Sequence, residues 1–258
     1  MSEPKATLPG GLDKGQDRAM IEKDHIHSAF DQDLKNLQAS VMRMGGLVEA
    51  SIINSSIALA DSDEELARKI VEDDHMIDSL ETEINLAALE LSALRQPIAQ
   101  DLRFVFAVLK IATNLERIGD YAKNVAKRTT VLLQTSPPDG ATASILRLAR
   151  SVQVLLKDSL DSFAERDVEK AREIIVRDHD IDLMYNSLFR EFLTYMMEDP
   201  RSITPSMHLH FMAKNLERSG DHITSVAEQV IFLATGEMPK DDRPVGDTTP
   251  FESVESKP

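Results

Sequence analysis

The chain has 258 residues, a formal net charge of −15, no cysteine and no tryptophan. That charge argues against the electrostatic footprint of nucleic-acid binding and against attraction to anionic lipid, which leaves cations and other proteins as partners. The missing cysteines exclude disulfides, thiolate metal sites and cysteine nucleophiles and fit a reducing cytoplasm, while the absence of a signal peptide or a long apolar run predicts no direct membrane insertion.

Residues 1–23 are polar and lack apolar periodicity, and read as a disordered N-terminal tail. The first predicted helix covers about residues 25–59, where Leu34, Leu37, Val41, Met44, Val48 and Ile52 draw one apolar stripe at spacings of three and four. Gly45 and Gly46 inside it imply close packing or a bend. Asp61, Ser62 and Asp63 end the pattern and offer N-cap side chains to a second helix. That helix carries Leu66, Ile70, Ile77, Leu80, Ile84 and Leu91 and ends at about Arg95. Pro97 then opens a third helix, where a missing N–H costs little, and the third helix runs to about Leu133.

Residues 136–142 form a linker, after which the plan repeats. A fourth helix is predicted over about 143–163, and Asp167 caps a fifth that ends near Met197. The stretch 198–201 turns the chain into a sixth helix over about 205–234, and residues 237–258 read as a second disordered tail. No segment reads as a strand. The expected fold is all-α, two tandem antiparallel three-helix bundles over residues 24–135 and 143–236.

Internal duplication underlies this plan. Asn114-Leu115-Glu116-Arg117-Ile118-Gly119-Asp120 returns 101 residues later as Asn215-Leu216-Glu217-Arg218-Ser219-Gly220-Asp221. Residues 67–78 likewise resemble residues 171–182, at an offset of 104. Each copy therefore carries two acidic pairs spaced by four: Asp74 with Asp78 and Glu116 with Asp120, then Asp178 with Asp182 and Glu217 with Asp221. In a helical hairpin, residues equidistant from the turn lie side by side. Asp78 with Glu116 and Asp74 with Asp120 are both centred on Pro97, whereas Asp182 with Glu217 and Asp178 with Asp221 are both centred between Asp199 and Pro200.

Residues four apart share a helix face, so four carboxylates per half converge if both faces point into the same groove. Oxygen-only ligands favour hard cations such as Mg²⁺, Mn²⁺, Ca²⁺ or iron, and the prediction is a metal site in each half. The competing reading is a solvated acidic face offset by Arg117, Arg218, Lys123 and Lys127. Glu81, one turn beyond Asp78, extends the first cluster, but Tyr185 stands at its matching place. His75, His179 and His222 each follow an acid and point away from its face, as supporting partners or surface groups rather than ligands. Gly119 and Gly220 sit mid-helix at a cost near 1 kcal/mol each relative to alanine, which implies close approach of a helix or a metal cluster.

The span Arg95-Gln96-Pro97-Ile98-Ala99-Gln100-Asp101-Leu102-Arg103, followed by Leu109-Lys110-Ile111 and the Asn114–Asp120 phrase, resembles the signature of the PhoU family of phosphate-uptake regulators. The resemblance covers about residues 25–236, including Phe30-Asp31-x-x-Leu34 and Met44-Gly45. It implies a non-enzymatic cytoplasmic regulator, often a homodimer, that links the phosphate ABC transporter to a two-component sensor histidine kinase and silences the phosphate-starvation response. It also implies metal clusters on the acidic motifs. The second copy has Ser206-Met207-His208-Leu209-His210 instead of an Asp-Leu-Arg, so any role of Asp101 and Arg103 is confined to the first half. A carboxylate metalloenzyme of di-iron or phosphohydrolase type is the alternative. Against it, Glu72-x-x-His75 is not repeated, since Val176 replaces the glutamate, and no nucleophile motif or phosphate loop accompanies the acids.

Overall fold

The computed structural model describes residues 14–95 and 99–239, and every regular element in it is helical. In chain order the α-helices are α1 (Lys14–Ala60), α2 (Glu64–Asp73), α3 (His75–Arg95), α4 (Ala99–Leu132), α5 (Ala141–Glu165), α6 (Val168–Glu198) and α7 (Ile203–Thr235), with a 3₁₀ turn at Pro200–Ser202 before α7.

The predicted apolar stripe of α1 is the core-facing one: Leu37 is nearly buried, and Val41, Met44, Val48 and Ile52 are wholly so. The helix starts well before residue 25 and takes in residues 14–23, which the sequence reading gave to the tail. Arg18, Ala19, Met20, Glu22 and Lys23 are strong helix formers with no proline among them, and propensity prevails there over the missing apolar pattern. The rest of that tail, the second tail from residue 240, and Pro97 lie outside the described residues. Gly45 and Gly46 separate cleanly. A β-carbon at Gly45 would run into the Leu160 side chain of α5, whereas one at Gly46 would meet nothing. Close packing, not a bend, accounts for Gly45.

Caps fall where the sequence placed them. Asp63 accepts from the Leu66 N–H at 2.9 Å and Asp167 from the Lys170 N–H at 3.0 Å, each satisfying an orphan donor of a helix start. Asp199, in the stretch expected only to turn the chain, accepts from the Arg201 N–H at 2.9 Å and caps the 3₁₀ turn. One expected helix is divided: the second breaks at Asp74 into α2 and α3. There His75 Nδ1 donates to the Glu72 carbonyl at 2.6 Å, and the next backbone bond is a tightened one from the Ile77 N–H to the Asp74 carbonyl. The imidazole caps the last turn of α2 and so competes with the helical ladder.

α1, α2–α3 and α4 make one three-helix bundle, and α5, α6 and α7 make the other. They pack through equivalent members, α4 against α7 and α1 against α5, and bury one continuous aliphatic core running from Leu37 to Leu233. The contact between α4 and α7 is antiparallel: Phe106 meets Phe232 near one end and Arg128 meets Phe211 near the other. Between them Tyr121 and His222, the matching residues of the two copies, face each other with ring centroids 5.6 Å apart. The duplicated chain thus has an approximate two-fold axis passing between α4 and α7.

His222 Nδ1 donates to Asn114 Oδ1 at 2.7 Å, which leaves Nε2 to accept from the Tyr121 hydroxyl at 3.4 Å. This requires the neutral ring. Burial holds His222 below its ordinary value of 6.5, with Arg117 and Arg218 lowering it further and Asp221 opposing them. Because the folded value is depressed, this histidine's contribution is present above pH 6.5 and is lost as the pH falls toward the folded value, where the unfolded chain takes up the proton first. Urea unfolding across that window should show stability falling more steeply with acid in the wild type than in His222→Gln; parallel profiles would remove His222 as the cause.

Candidate metal centre

Each acidic pair lies on a helix that the duplication placed opposite its partner. In the first half Asp74 stands at the α2–α3 junction, Asp78 one turn into α3, and Glu116 and Asp120 on α4. Lys123, one turn after Asp120, donates to Asp74 Oδ2 at 2.5 Å and to Asp120 Oδ1 at 2.6 Å, joining α3's entry to α4. Burial pushes the Asp74 carboxyl above the usual aspartate range against the pull of Lys123, and repulsion from Asp78 and Asp120 adds to it. Glu116 is raised by burial first, then by Asp120, with Arg117 opposing and Glu81 and Asp78 adding repulsion. Lys123 thus brings Asp74 and Asp120 together across the two helices, while Glu116 is half-buried, Asp78 is exposed, and Glu81 Oε1 accepts from the Thr113 hydroxyl of α4 at 3.0 Å. Against the burial that would lower it, hydrogen bonds to Asp120 and Asp74 hold the Lys123 ammonium well above the ordinary lysine range.

In the second half Asp178 and Asp182 on α6 and Glu217 on α7 are buried, while Asp221 is exposed. Here the charge is met from a different place. Lys214, one turn before Glu217, donates to Glu217 Oε1 at 2.7 Å and lies over the Tyr185 ring, 4.9 Å from its centroid. Thr113 and Thr224 occupy the positions matching Lys214 and Lys123, so the two halves place a lysine at opposite ends of otherwise matching acidic frames. Sequence reading named Lys123 as a neighbour and passed over Lys214; its spacing of three before Glu217 was the available signal.

The glycines explain how the hairpins close. A β-carbon on Gly220 would overlap Asp178 Oδ1 and touch Ile181, and one on Gly119 would lie 3.0 Å from Ile77 Cδ1 and 3.8 Å from Asp74 Oδ1. Each glycine admits the acid-bearing helix to its neighbour's backbone, at the register that the sequence midpoints require. His75 is spent on the Glu72 carbonyl and His222 on Asn114 and Tyr121, consistent with their assignment away from the ligands. The Arg103 guanidinium lies against Gly236, at the C-terminus of α7, where its charge suits the helix dipole.

Among the described residues, no three His, Asp or Glu side chains are grouped as one coordination sphere. The ammonium groups of Lys123 and Lys214 stand among the carboxylates instead, so a cation would have to complement or displace them. The donor set itself fits a hard ion: carboxylate oxygens from two facing helices in each half.

The comparisons agree with one another. The PhoU domain family matches residues 41–129 and again 145–230, one domain per bundle. The chain is 47% identical over 225 residues, 87% of its length, to a phosphate-specific transport system accessory protein PhoU homolog of Rhizobium meliloti, of which 95% is covered. A protein of the same description from Caulobacter vibrioides is 45% identical, with 86% of this chain and 96% of that one aligned. The crystal structure of PhoU from Pseudomonas aeruginosa superposes with a TM-score of 0.78 at 35% identity, covering 81% of this chain and all of that one. That of the phosphate transport system regulatory protein PhoU from Streptococcus pneumoniae gives 0.75 at 31%, covering 82% and 99%.

Proposed function

The chain belongs to the PhoU family, and on that premise we propose that it is a non-catalytic accessory regulator of phosphate transport, a metal-binding adaptor between the phosphate ABC transporter and a sensor histidine kinase. It acts as a homodimer at the cytoplasmic side of the membrane, held there by protein partners, and represses the phosphate-starvation response when phosphate is plentiful. No helix among the described residues is long and apolar enough to cross a membrane. The names of the relatives support the transport role.

What supports the metal reading is the placement of Asp74, Asp78, Glu116 and Asp120 on facing helices, with Asp74 and Asp120 held together by Lys123, and of Asp178, Asp182, Glu217 and Asp221 at the matching places of the second half. These eight residues would hold the ions. Bound Mg, Mn, Fe or Ca would neutralise the acids, tie the helices of each hairpin together and offer coordination positions to an oxyanion or a partner's carboxylate. The chain's own part is to hold the acids of facing helices at one level.

Elemental analysis of untagged protein, wild type beside the Glu116→Gln, Glu217→Gln double variant, tests this reading. Stoichiometric metal in the wild type, falling to a small fraction in the variant, is the expected result, together with starvation-response genes that stay on at high phosphate. Metal-free protein in both, even after reconstitution, would make the acidic faces partner-docking surfaces; unchanged reporter output at low and high phosphate would count against the regulatory role.

A further inference from the structure

A second charged site lies on the opposite account from the acidic clusters. In a chain with 44 acidic and 29 basic side chains, the groove between α4 and α7, of about 540 Å³, is lined by Lys127, Arg128, His208, Lys214 and Arg218, and no carboxylate lines it. Its best-positioned member is Arg128. The guanidinium lies 4.4 Å from the centroid of the Phe211 ring and donates from Nη1 to His208 Nδ1 at 3.3 Å. A stacked, hydrogen-bonded guanidinium is preorganised for two-point contact with an oxyanion. Accepting at Nδ1 makes His208 neutral with its hydrogen on Nε2, which supplies one further donor. Burial alone lowers Arg128, and burial followed by the Arg128 charge lowers His208; neither is raised by a nearby acid.

The duplication shows that this groove is a departure from the repeat. Across the two-fold, at the offset of 101, the places of Lys127 and Arg128 are taken by Glu228 and Gln229, that of His208 by Ala107, that of Phe211 by Lys110 and that of Lys214 by Thr113. Of the basic residues only Arg218 keeps a basic counterpart, Arg117. Here one copy of the groove concentrates cations around an aromatic floor, on a protein whose overall field repels anions.

We propose that the groove between α4 and α7 binds a phosphate dianion, as inorganic phosphate or as the phosphate of a small monoester, with Arg128 and Arg218 as its principal charged contacts and Lys127 and the His208 Nε2–H completing the donors. The inference is independent of the metal reading. Lys214 lines the groove and also bonds Glu217, so occupancy at one site bears on the other through a single ammonium.

The test is equilibrium binding on full-length, chelator-treated protein, with inorganic phosphate as one probe and adenosine 5′-monophosphate as the other. Saturable binding of one equivalent by at least one probe is expected. It should weaken by about tenfold or more in Arg128→Gln and in Arg218→Gln, as loss of a charge-assisted contact requires, and stay unchanged in Lys110→Gln across the two-fold. Phosphate alone binding identifies the free ion as ligand, and the monophosphate alone identifies an ester. Arg218 is exposed, so its variant retains the fold, as circular dichroism will check, even if the half-buried Arg128 does not tolerate substitution. No saturable binding of either probe, or binding that survives Arg218→Gln undiminished, overturns the proposal. Because the protein is metal-free throughout, failure here leaves the carboxylate reading untouched, and the reverse also holds.

Discussion

Lys123→Met is expected to destabilise the protein by about 2–4 kcal/mol at neutral pH and to make its stability strongly dependent on divalent cations. The ammonium lies 2.5 Å from Asp74 Oδ2 and 2.6 Å from Asp120 Oδ1, and the Asp74 side chain is only 7% exposed. Methionine keeps the length and the apolar stem but leaves a buried carboxylate beside Asp78 and Asp120 with its compensating charge gone. Removing one partner from a buried pair costs far more than the pair contributes, because the survivor is left desolvated and alone. Burial already raises Asp74, and without Lys123 the rise is larger, so the deficit should shrink on acidification as the carboxyl takes a proton. A bound Mg²⁺ or Mn²⁺ would replace the missing charge and stabilise by RT ln(1 + [L]/Kd), about 2.7 kcal/mol at a hundredfold excess over Kd. Urea unfolding with and without Mn²⁺ reads both effects. A variant as stable as the wild type would show that Lys123 does not hold the first cluster together. A deficit that Mn²⁺ does not narrow would show that these carboxylates do not gather a cation.

Gly220→Ala should cost about 1–3 kcal/mol and Gly119→Ala distinctly less, although the two glycines occupy the same place in the repeat. Both substitutions gain about 1 kcal/mol of helix propensity. At Gly220 the new methyl overlaps Asp178 Oδ1 and meets Ile181, and Asp178 is buried between α6 and α7, so the carboxylate must be turned out or the helices parted. At Gly119 the nearest atoms are Ile77 Cδ1 at 3.0 Å and Cγ2 at 3.3 Å, contacts that a shift of a few tenths of an ångström relieves. The metal content of the second half should fall with Gly220→Ala, because Asp178 is one of its proposed ligands. Thermal unfolding of the two variants separates the outcomes: equal losses would mean that Asp178 yields as easily as Ile77.

The register of the acid-bearing helices was legible because it rests on local rules. Spacing by four puts Asp74 with Asp78 and Glu217 with Asp221 on single helix faces, and a hairpin of known turn sets which pairs stand level. Asp178 lying against Gly220 is that register realised. The N-caps at Asp63 and Asp167 and the core stripe of α1 were legible for the same reason. The division of the second helix at Asp74 was not, since it depends on the rotamer by which His75 reaches the Glu72 carbonyl. Lys214 was missed because a lysine three residues before a glutamate is common on helix surfaces, and only the burial of Glu217 makes this one matter.

That the protein is helical, duplicated, and equipped with four matched pairs of acids can be read from residues near one another along the chain, because these set helical period and hairpin register. Tertiary structure alone decided which lysine meets which acids, which half buries its carboxylates, and that α4 and α7 run antiparallel with Tyr121 on His222 and a cationic groove around Arg128. The Tyr121–His222 pair joins residues 101 apart, the Arg128–His208 contact residues 80 apart and the Lys123–Asp74 contact residues 49 apart, and their geometry follows from the packing of helices, which no local spacing rule encodes.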